Sequence, residues 1–358
     1  MKSNVFAKLG MIAATASASI FTLGLPVFGA GHFISGLQGL YPEYDLNDAY
    51  VFQSTTAGHT SFILSTNPSV PGSLIPPTGA NFGAGGLYNL HIATDEQIDE
   101  GITYVFSFQG DEIQVSKLMS ANADIGATSE HLANGTVGEA FSLPGGVQVW
   151  AGRGVDPFFG NGVGLAGFNA KRQAGTFSPE AFQEGGDLFA EATASFIVLD
   201  VPNELLSDEI RYFTSTAVVH NEEWHQIDRL ANVLFPYVFF ADTPAVQEDH
   251  QQHRPDTDVS ERRQAAVNNV FMATSLSGAQ EGNELAYAQE VADVILPDVI
   301  TYKTGTQASY TLDAMNGRAL HDDAMNTVLN LMNGLAVDDQ VNNAGRYGSA
   351  FPYILAVE

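Results

Sequence analysis

The composition of this chain excludes several classes of partner before any motif is considered. Its 358 residues include 41 acidic and only 14 basic side chains, which gives a formal net charge of -27 at pH 7. Such a surface repels nucleic acid and anionic lipid. It predicts a protein that works where salt screens its self-repulsion, and the alternative is ordinary acidic solubility with no partner implied. Cysteine is absent, so no disulfide supports the fold and the apolar core must do so.

The first predicted element is a secretory signal peptide at residues 1–30. Lys2 and Lys8 precede an uncharged apolar run from 11 to 28 that ends at small residues, which is the pattern of an export signal. A glycine and a proline interrupt the run, so we expect cleavage rather than anchoring. No later apolar run is long enough to span a membrane. We therefore expect a secreted or periplasmic protein with no membrane span and no nucleic-acid partner.

Short β-branched and aromatic runs follow, separated by Gly, Pro, Asn and Ser, which is typical of antiparallel strands. The predicted strands are 48–54, 60–65, 87–93, 102–108, 112–118, 148–152, 192–201 and 210–220. Long irregular loops are expected at 67–86 and 160–186. These runs predict a mainly β fold, with antiparallel sheets arranged as in a β-sandwich.

The pattern changes after Phe240. A charged connection is expected at 246–258, and apolar residues at helical spacing then predict helices at 259–276, 283–295 and 322–335. We therefore predict a single large β-rich domain at 31–358, with its helices in the C-terminal third.

Several segments in a fixed order cover essentially the whole chain after the signal peptide. They are Gly31-His32, 45–52, 151–159, 197–202, 226–232, 296–298, 316–323 and 351–353. In order and spacing they resemble a family of secreted, mostly bacterial proteins, domain-of-unknown-function family 4331. The resemblance implies a β-rich fold and an exported protein. It implies no activity, because the family has none to carry over.

Three Arg/Asp clusters at loop–strand junctions are candidates for chemistry. They are Arg153 with Asp156, Asp228 with Arg229, and Arg318 with Asp322 and Asp323. A guanidinium–carboxylate pair can lock a junction, and the same guanidinium can bind an anion. Together with further acids, the carboxylates could instead supply oxygen ligands for Ca²⁺. The predicted metal ligands are Asp45, Asp48, Asp156, Asp322, Asp323 and His32, and the predicted anion-binding or ion-pairing residues are Arg153, Arg229 and Arg318.

Histidines suggest a transition metal as the other candidate ion. His220 and His225 are five residues apart, which does not fit a zinc helix, and a single strand would place them on opposite faces. His250 and His253 could chelate a metal in an ordered loop, although a solvated linker is expected there. Signal cleavage after Gly29 would place His32 third in the mature chain, an arrangement that favours Cu²⁺ or Ni²⁺.

These observations support two functions from different classes. We expect an exported binding or structural module with a metal or anion site and an extracellular ligand. The alternative is a metal-assisted hydrolase or lyase that acts on an extracellular substrate, with the same acids as ligands or bases. The nucleophile motif of serine hydrolases is absent, as is any cysteine nucleophile.

Overall fold

The computed structural model describes residues 38–69 and 80–357 and is mainly β, as the sequence predicts. The strands of these stretches form three antiparallel sheets. They are β1 (Leu46–Gln53), β2 (His59–Ser69), β3 (Leu87–Ala93), β4 (Gly101–Gln109), β5 (Glu112–Leu118), β6 (Glu130–Thr136), β7 (Phe141–Ser142), β8 (Gln148–Val155), β9 (Thr193–Pro202), β10 (Glu209–His220), β11 (Glu223–Leu230), β12 (Ile300–Lys303), β13 (Ser309–Tyr310) and β14 (Met315–Asn316).

The α-helices lie mostly in the C-terminal third, which confirms that part of the prediction. They are α1 (Gly162–Gln173), α2 (Phe235–Phe239), α3 (Pro244–Gln252), α4 (Asp258–Ser277), α5 (Glu284–Ile295) and α6 (Ala324–Asn333). Gly278 and Gly334 end α4 and α6 in the left-handed conformation that glycine adopts at low cost. None of the helices in the described stretches combines the length and the apolar character that a membrane crossing requires.

Two of the sheets pack face to face. Sheet A has the strand order β1-β2-β9-β8-β7, and sheet B has the order β11-β10-β3-β4-β5-β6, with β12 paired to β10. Phe62 of β2 meets Tyr212 of β10 edge to face at 5.2 Å between ring centroids, and the Tyr212 hydroxyl donates to Ile63 O at 2.9 Å. One apolar cluster fills the space between the sheets, as in a β-sandwich.

The strands β2 and β9 are buried along almost their whole length. The face of sheet A turned away from sheet B is therefore covered as well. At the sheet edge, Val155 N donates to Leu355 O and Val357 N donates to Arg153 O, so the C-terminal residues continue the sheet beyond β8. A second apolar cluster, built largely from the helices, lies apart from the sandwich core. This double coverage explains why β9 is a near-continuous apolar run, and why β2 buries polar residues as well as apolar ones.

Two predicted loops contain helices. The segment 160–186 holds α1, whose N-terminus is capped by Asn161 Oδ1 accepting from Gly164 N at 2.7 Å. The segment 246–258 holds most of α3 and the first residue of α4. Glycines in α1 and polar residues in α3 lower the local helix signal, and tertiary packing outweighs it. In the loop predicted at 67–86, β2 extends to Ser69 and residues 70–79 lie outside the described residues.

Candidate functional site

Two predicted site residues, Asp48 and Arg318, form a buried ion pair on the face of sheet A turned away from sheet B. Arg318 Nη1 donates to Asp48 Oδ1 at 2.6 Å and to Ala49 O at 3.2 Å. Its guanidinium carbon lies 4.2 Å from the centroid of the Tyr50 ring. Both charged side chains are at most 1% exposed, so the pair is closed to an external anion and fastens the chain after β14 onto β1.

Asp156 belongs to the same buried region as a neutral acid. Its Oδ2 accepts from Asn47 Nδ2 at 3.2 Å, and its Oδ1 accepts from Phe158 N at 3.0 Å. Burial, followed by the nearby charge of Asp48, raises the pKa of Asp156 to about 8. It is therefore mainly protonated at neutral pH, so Arg318 has only one nearby carboxylate to neutralise.

Asp322 and Asp323 bond to the backbone next to them. Asp322 Oδ2 accepts from Ala319 N at 2.7 Å, and Asp323 Oδ1 accepts from Asn326 N at 3.0 Å as the N-cap of α6. Such caps satisfy backbone donors that a helix start would leave unpaired. Both carboxylates thus have a local structural use in addition to their predicted role as metal ligands.

Asp45 lies close to another acid. Burial, and then the charge of Asp228, raise the pKa of Asp45 well above its ordinary value. Asp228 accepts from Leu46 N and Arg229 N, at 2.9 and 2.8 Å. Burial and the repulsion between the two carboxylates thus both disfavour the charged form of Asp45.

Arg153 bonds to hydroxyl and carbonyl groups. It donates to Asn67 O at 3.0 Å, to Ser195 Oγ at 3.3 Å, and to Thr193 Oγ1 and O at 3.0 and 3.3 Å. These contacts hold β8 against β9 and the end of β2. Within the described residues no carboxylate forms a salt bridge with Arg153.

Arg229, at the end of β11, lies in a second buried charge cluster. It forms a bidentate pair with Asp258, in which Nη1 and Nη2 each donate over 2.9 Å. Neither side chain is exposed to solvent. Arg262 also donates to Asp258, at 3.2 Å, and pairs with Asp249 of α3. This arrangement ties β11 to α3 and α4.

The geometry of His250 determines its tautomer. Arg229 Nη2 lies 2.8 Å from His250 Nδ1, and Asp298 Oδ2 lies 3.0 Å from His250 Nε2. A guanidinium can only donate, so Nδ1 accepts and Nε2 carries the proton that it donates to Asp298. Burial and the charge of Arg229 lower the pKa of His250. This histidine is therefore neutral and fully bonded, and it is not available to join His253 in chelating a metal.

Two of the predicted arginines form their salt bridges with carboxylates outside their predicted clusters. Arg318 pairs with Asp48 rather than Asp322 or Asp323, and Arg229 pairs with Asp258 rather than Asp228. At a loop–strand junction, the side chains of residues adjacent in sequence often point in different directions. A buried guanidinium, in contrast, needs a carboxylate that is held opposite it. Asp258 and Asp298 were missed, because nothing in a polar sequence segment shows that it is buried.

Metal ligation by the predicted acids stays a prediction. In the part of the chain that the structure describes, no group of three or more His, Asp or Glu side chains is placed to hold a metal ion. Asp45, Asp48 and Asp156 are each at most 2% exposed. His32 and the predicted signal peptide lie outside the described residues.

A pocket of about 250 Å³ opens at the surface beside β1, and we call it the C-terminal pocket. It is lined by Phe52, Gln53, Thr55, Gln307, Ala308, Ala319, Leu320, His321, Tyr347, Gly348, Ser349 and Tyr353. Rings and aliphatic groups form most of its wall, and amide, hydroxyl and imidazole groups lie among them. None of the twelve lining residues is a lysine, an arginine or an acid.

The aromatic wall of this pocket is fixed by hydrogen bonds. The Tyr353 hydroxyl accepts from Thr55 N at 3.0 Å and lies within hydrogen-bond distance of the Ser54 and Ser61 hydroxyls, at 2.9 and 3.3 Å. Its ring meets the Phe52 ring edge to face at 5.2 Å between centroids. The Tyr353 hydroxyl is thus occupied, and the ring is the part of this residue that a ligand could contact.

Sequence reasoning missed this pocket. Segments 316–323 and 351–353, which carry the family resemblance, both contribute lining residues, but nothing in their sequence shows that they meet. The approach of Tyr347 and Tyr353 to β1 depends on the path of the last residues, and no local pattern encodes that path. Comparison with protein-family models, with curated proteins and with solved structures finds no match for this chain, so the resemblance to family 4331 stays a prediction.

Proposed function

We propose that this protein is an exported binding module whose ligand site is the C-terminal pocket. The observation that carries the proposal is a concave, mostly apolar wall in which every polar group is uncharged or a histidine. Sites for small molecules combine such walls with a few polar groups. The volume of about 250 Å³ lies just below the usual range of about 300–1,000 Å³, which fits a small ligand.

The lining indicates the chemistry of the ligand. Tyr347 and Tyr353 contribute aromatic rings to the wall, while Gln53 and Gln307 offer amide donors and acceptors. Without a permanently charged group in the wall, a strongly charged ligand would lose its hydration without compensation. We therefore propose a small neutral molecule with a flat apolar face and polar edges, as sugar rings and substituted aromatic rings have.

In this proposal the predicted acid and arginine residues have a structural role. Arg318 and Arg229 are almost fully buried and already hydrogen-bonded to carboxylates. An incoming anion would have to displace Asp48 or Asp258 from its partner, which leaves a buried charge uncompensated. The Arg318 pair holds against β1 the segment that contributes residues 319–321 to the pocket wall, and the Arg229 cluster holds α3 and α4 against β11.

The experiment is a binding screen by isothermal titration calorimetry. Neutral monosaccharides form one arm, neutral substituted aromatic compounds form the other, and a charged analogue accompanies each compound. We expect saturable binding in one arm, with the charged analogues weaker. The variant Ser349→Trp places an indole at the mouth of the pocket and should abolish that binding.

The matched control is Ala350→Trp, because Ala350 is an exposed neighbour that does not line the pocket. It should leave binding unchanged. Equal binding by Ser349→Trp and Ala350→Trp would place the ligand elsewhere. Binding restricted to charged analogues would contradict a neutral ligand.

The export part of the proposal rests on the charge and apolar pattern of residues 1–30. We expect the mature protein to begin at Ala30 or Gly31. Intact-mass analysis of protein recovered from the periplasm or the medium tests this. Recovery of the full-length chain in the membrane fraction would contradict it.

A further inference from the structure

The tip of the β10–β11 hairpin brings two histidines to one face. Asn221 and Glu222 form a two-residue turn with φ angles of 51° and 68°, as a type I′ hairpin requires. His220 then lies opposite Glu223, and Val218 lies opposite His225. Directly opposite residues share a face, and every second residue of a strand returns to it. His220, Glu223 and His225 therefore share one face.

This arrangement differs from the opposite-face placement expected for a single strand. That expectation treats 220–225 as a continuous strand, in which His220 and His225 point to opposite sides. The turn reverses the chain between them. Their ring centroids lie 5.9 Å apart with an interplanar angle of 78°.

The spacing fits shared ligation of one ion. A Zn²⁺ ion lies about 2.0–2.1 Å from each imidazole nitrogen. Two rings on one ion can therefore have centroids at most about 6.5 Å apart, which is the limit of a linear arrangement. At 5.9 Å, a modest side-chain rotation brings a nitrogen of each ring onto a common ion.

Tyr41 orients one of the two rings. Its hydroxyl lies 2.9 Å from His220 Nδ1. Among the described residues no hydrogen bond reaches His220 Nε2 or either ring nitrogen of His225. When Nδ1–H donates to the tyrosine oxygen, the lone pair of Nε2 is free to ligate. A metal-binding histidine commonly donates its second ring N–H to such a partner.

We propose that His220 and His225 form a two-histidine site for a divalent transition metal such as Zn²⁺ or Cu²⁺. Imidazole suits these ions. Both histidines are partly exposed, so an ion reaches them from solvent. The exposed Glu223 lies on the same face and adds negative charge beside the two rings, and water would occupy the remaining coordination positions.

The test is a Zn²⁺ titration of the purified protein by calorimetry. His32→Ala is introduced in every sample, because His32 is a candidate for an amino-terminal metal site. We expect one Zn²⁺ per chain, and loss of that binding in His220→Ala and in His225→Ala. The variant Tyr41→Phe removes the orienting hydroxyl and should weaken binding by about 10- to 100-fold.

The matched control is His131→Ala, which removes an exposed histidine of β6 that faces no second histidine. It should bind Zn²⁺ as the parent does. Equal affinity in the parent, His220→Ala and His225→Ala would overturn the proposal, as would loss of binding in His131→Ala alone.

A measurement on the parent protein covers the case in which a variant does not fold. Electron paramagnetic resonance of the His32→Ala protein with one equivalent of Cu²⁺ should show coupling to two imidazole nitrogens. Coupling to one imidazole only, or to deprotonated amide nitrogens, would contradict a site shared by His220 and His225.

Discussion

Two of the buried charge pairs in this protein join residues far apart along the chain. Asp48 and Arg318 are 270 residues apart, and Arg229 and Asp258 are 29 apart. A buried charge is costly unless it is paired and hydrogen-bonded, and the net gain from such a pair is small. The pairs therefore act mainly as constraints on which segments can meet.

Removal of one partner should show this constraint. Arg318→Met leaves the Asp48 carboxylate buried without its cation, so we expect the free energy of unfolding to fall by about 3–5 kcal/mol. The double variant Asp48→Leu/Arg318→Met leaves no buried charge and should recover much of the loss. Urea unfolding followed by circular dichroism measures both.

The control is Arg263→Met, because Arg263 pairs with Asp293 at the surface, where the side chains are 34% and 65% exposed. A surface pair contributes up to about 1 kcal/mol, so this variant should change stability little. If Arg318→Met were no more destabilising than Arg263→Met, the result would contradict a constraining role for the buried pair.

The protonated Asp156 predicts a pH dependence with a defined sign. Its pKa rises from 3.8 in the unfolded chain to about 8 in the fold, so the folded protein binds more protons between these values. The contribution of this group to stability is therefore full below about pH 4 and is lost as the pH rises to about 8. The variant Asp156→Asn should remove this fall.

Denaturant unfolding at a series of pH values measures the effect as the difference between the parent and Asp156→Asn. Substitution of the exposed Asp313 by Asn is the matched control and should reproduce the parent profile. Parallel profiles for the parent and Asp156→Asn would show that Asp156 does not titrate in this range.

At the scale of elements, regular patterns predict where an element lies in the chain but not which element it pairs with. The helices expected at 259–276 and 283–295 are α4 and α5, whose buried residues recur at helical spacing. In contrast, β6 was missed, because its polar residues carry no alternation and its register depends on β5. Strand order depends on loops, whose length says little about where they return.

The candidate site was less predictable than the fold for a related reason. Residue types mark charges and rings, but a site is defined by which of them approach each other. The C-terminal pocket joins Phe52 of β1 to Tyr347 and Tyr353, and the two-histidine site depends on a turn between His220 and His225. The approach of the two histidines can be predicted from sequence once the turn between them is recognised.

The hairpin turn itself offers a test at this scale. Glu222 has a φ of 68°, which costs an L-residue about 1–2 kcal/mol, while glycine tolerates it at an entropy cost of about 0.5–1 kcal/mol. Glu222→Gly should therefore stabilise the protein by about 0.5–1 kcal/mol, as measured by urea unfolding.

Glu223→Gly is the matched control for the turn. Glu223 is the first residue of β11 and has no positive φ, so glycine there loses strand stability without relieving strain. The two variants should shift the unfolding midpoint in opposite directions. A loss of stability in both would mean that the turn does not hold Glu222 in the left-handed conformation.

At the scale of the whole molecule, an apolar interior is enclosed by a surface with a large excess of negative charge. The sandwich core and the helical core bury their apolar side chains in separate clusters, and the Arg229 cluster ties strand β11 of the sandwich to the helices α3 and α4. The formal charge of -27 acts against this compact arrangement, since like charges are closer together in the folded chain than in the unfolded one.

Added salt should therefore stabilise this protein. The Debye length falls from about 30 Å at 0.01 M to about 10 Å at 0.1 M ionic strength, which screens repulsion between surface carboxylates. The buried pairs Asp48–Arg318 and Arg229–Asp258 are shielded from solvent, so salt weakens them much less. The midpoint of urea unfolding should rise over this range, and equally in sodium chloride, potassium chloride and choline chloride if screening is the cause. A rise with only one cation would indicate a specific ion site, and a fall would mean that surface attractions outweigh the repulsion of the net charge.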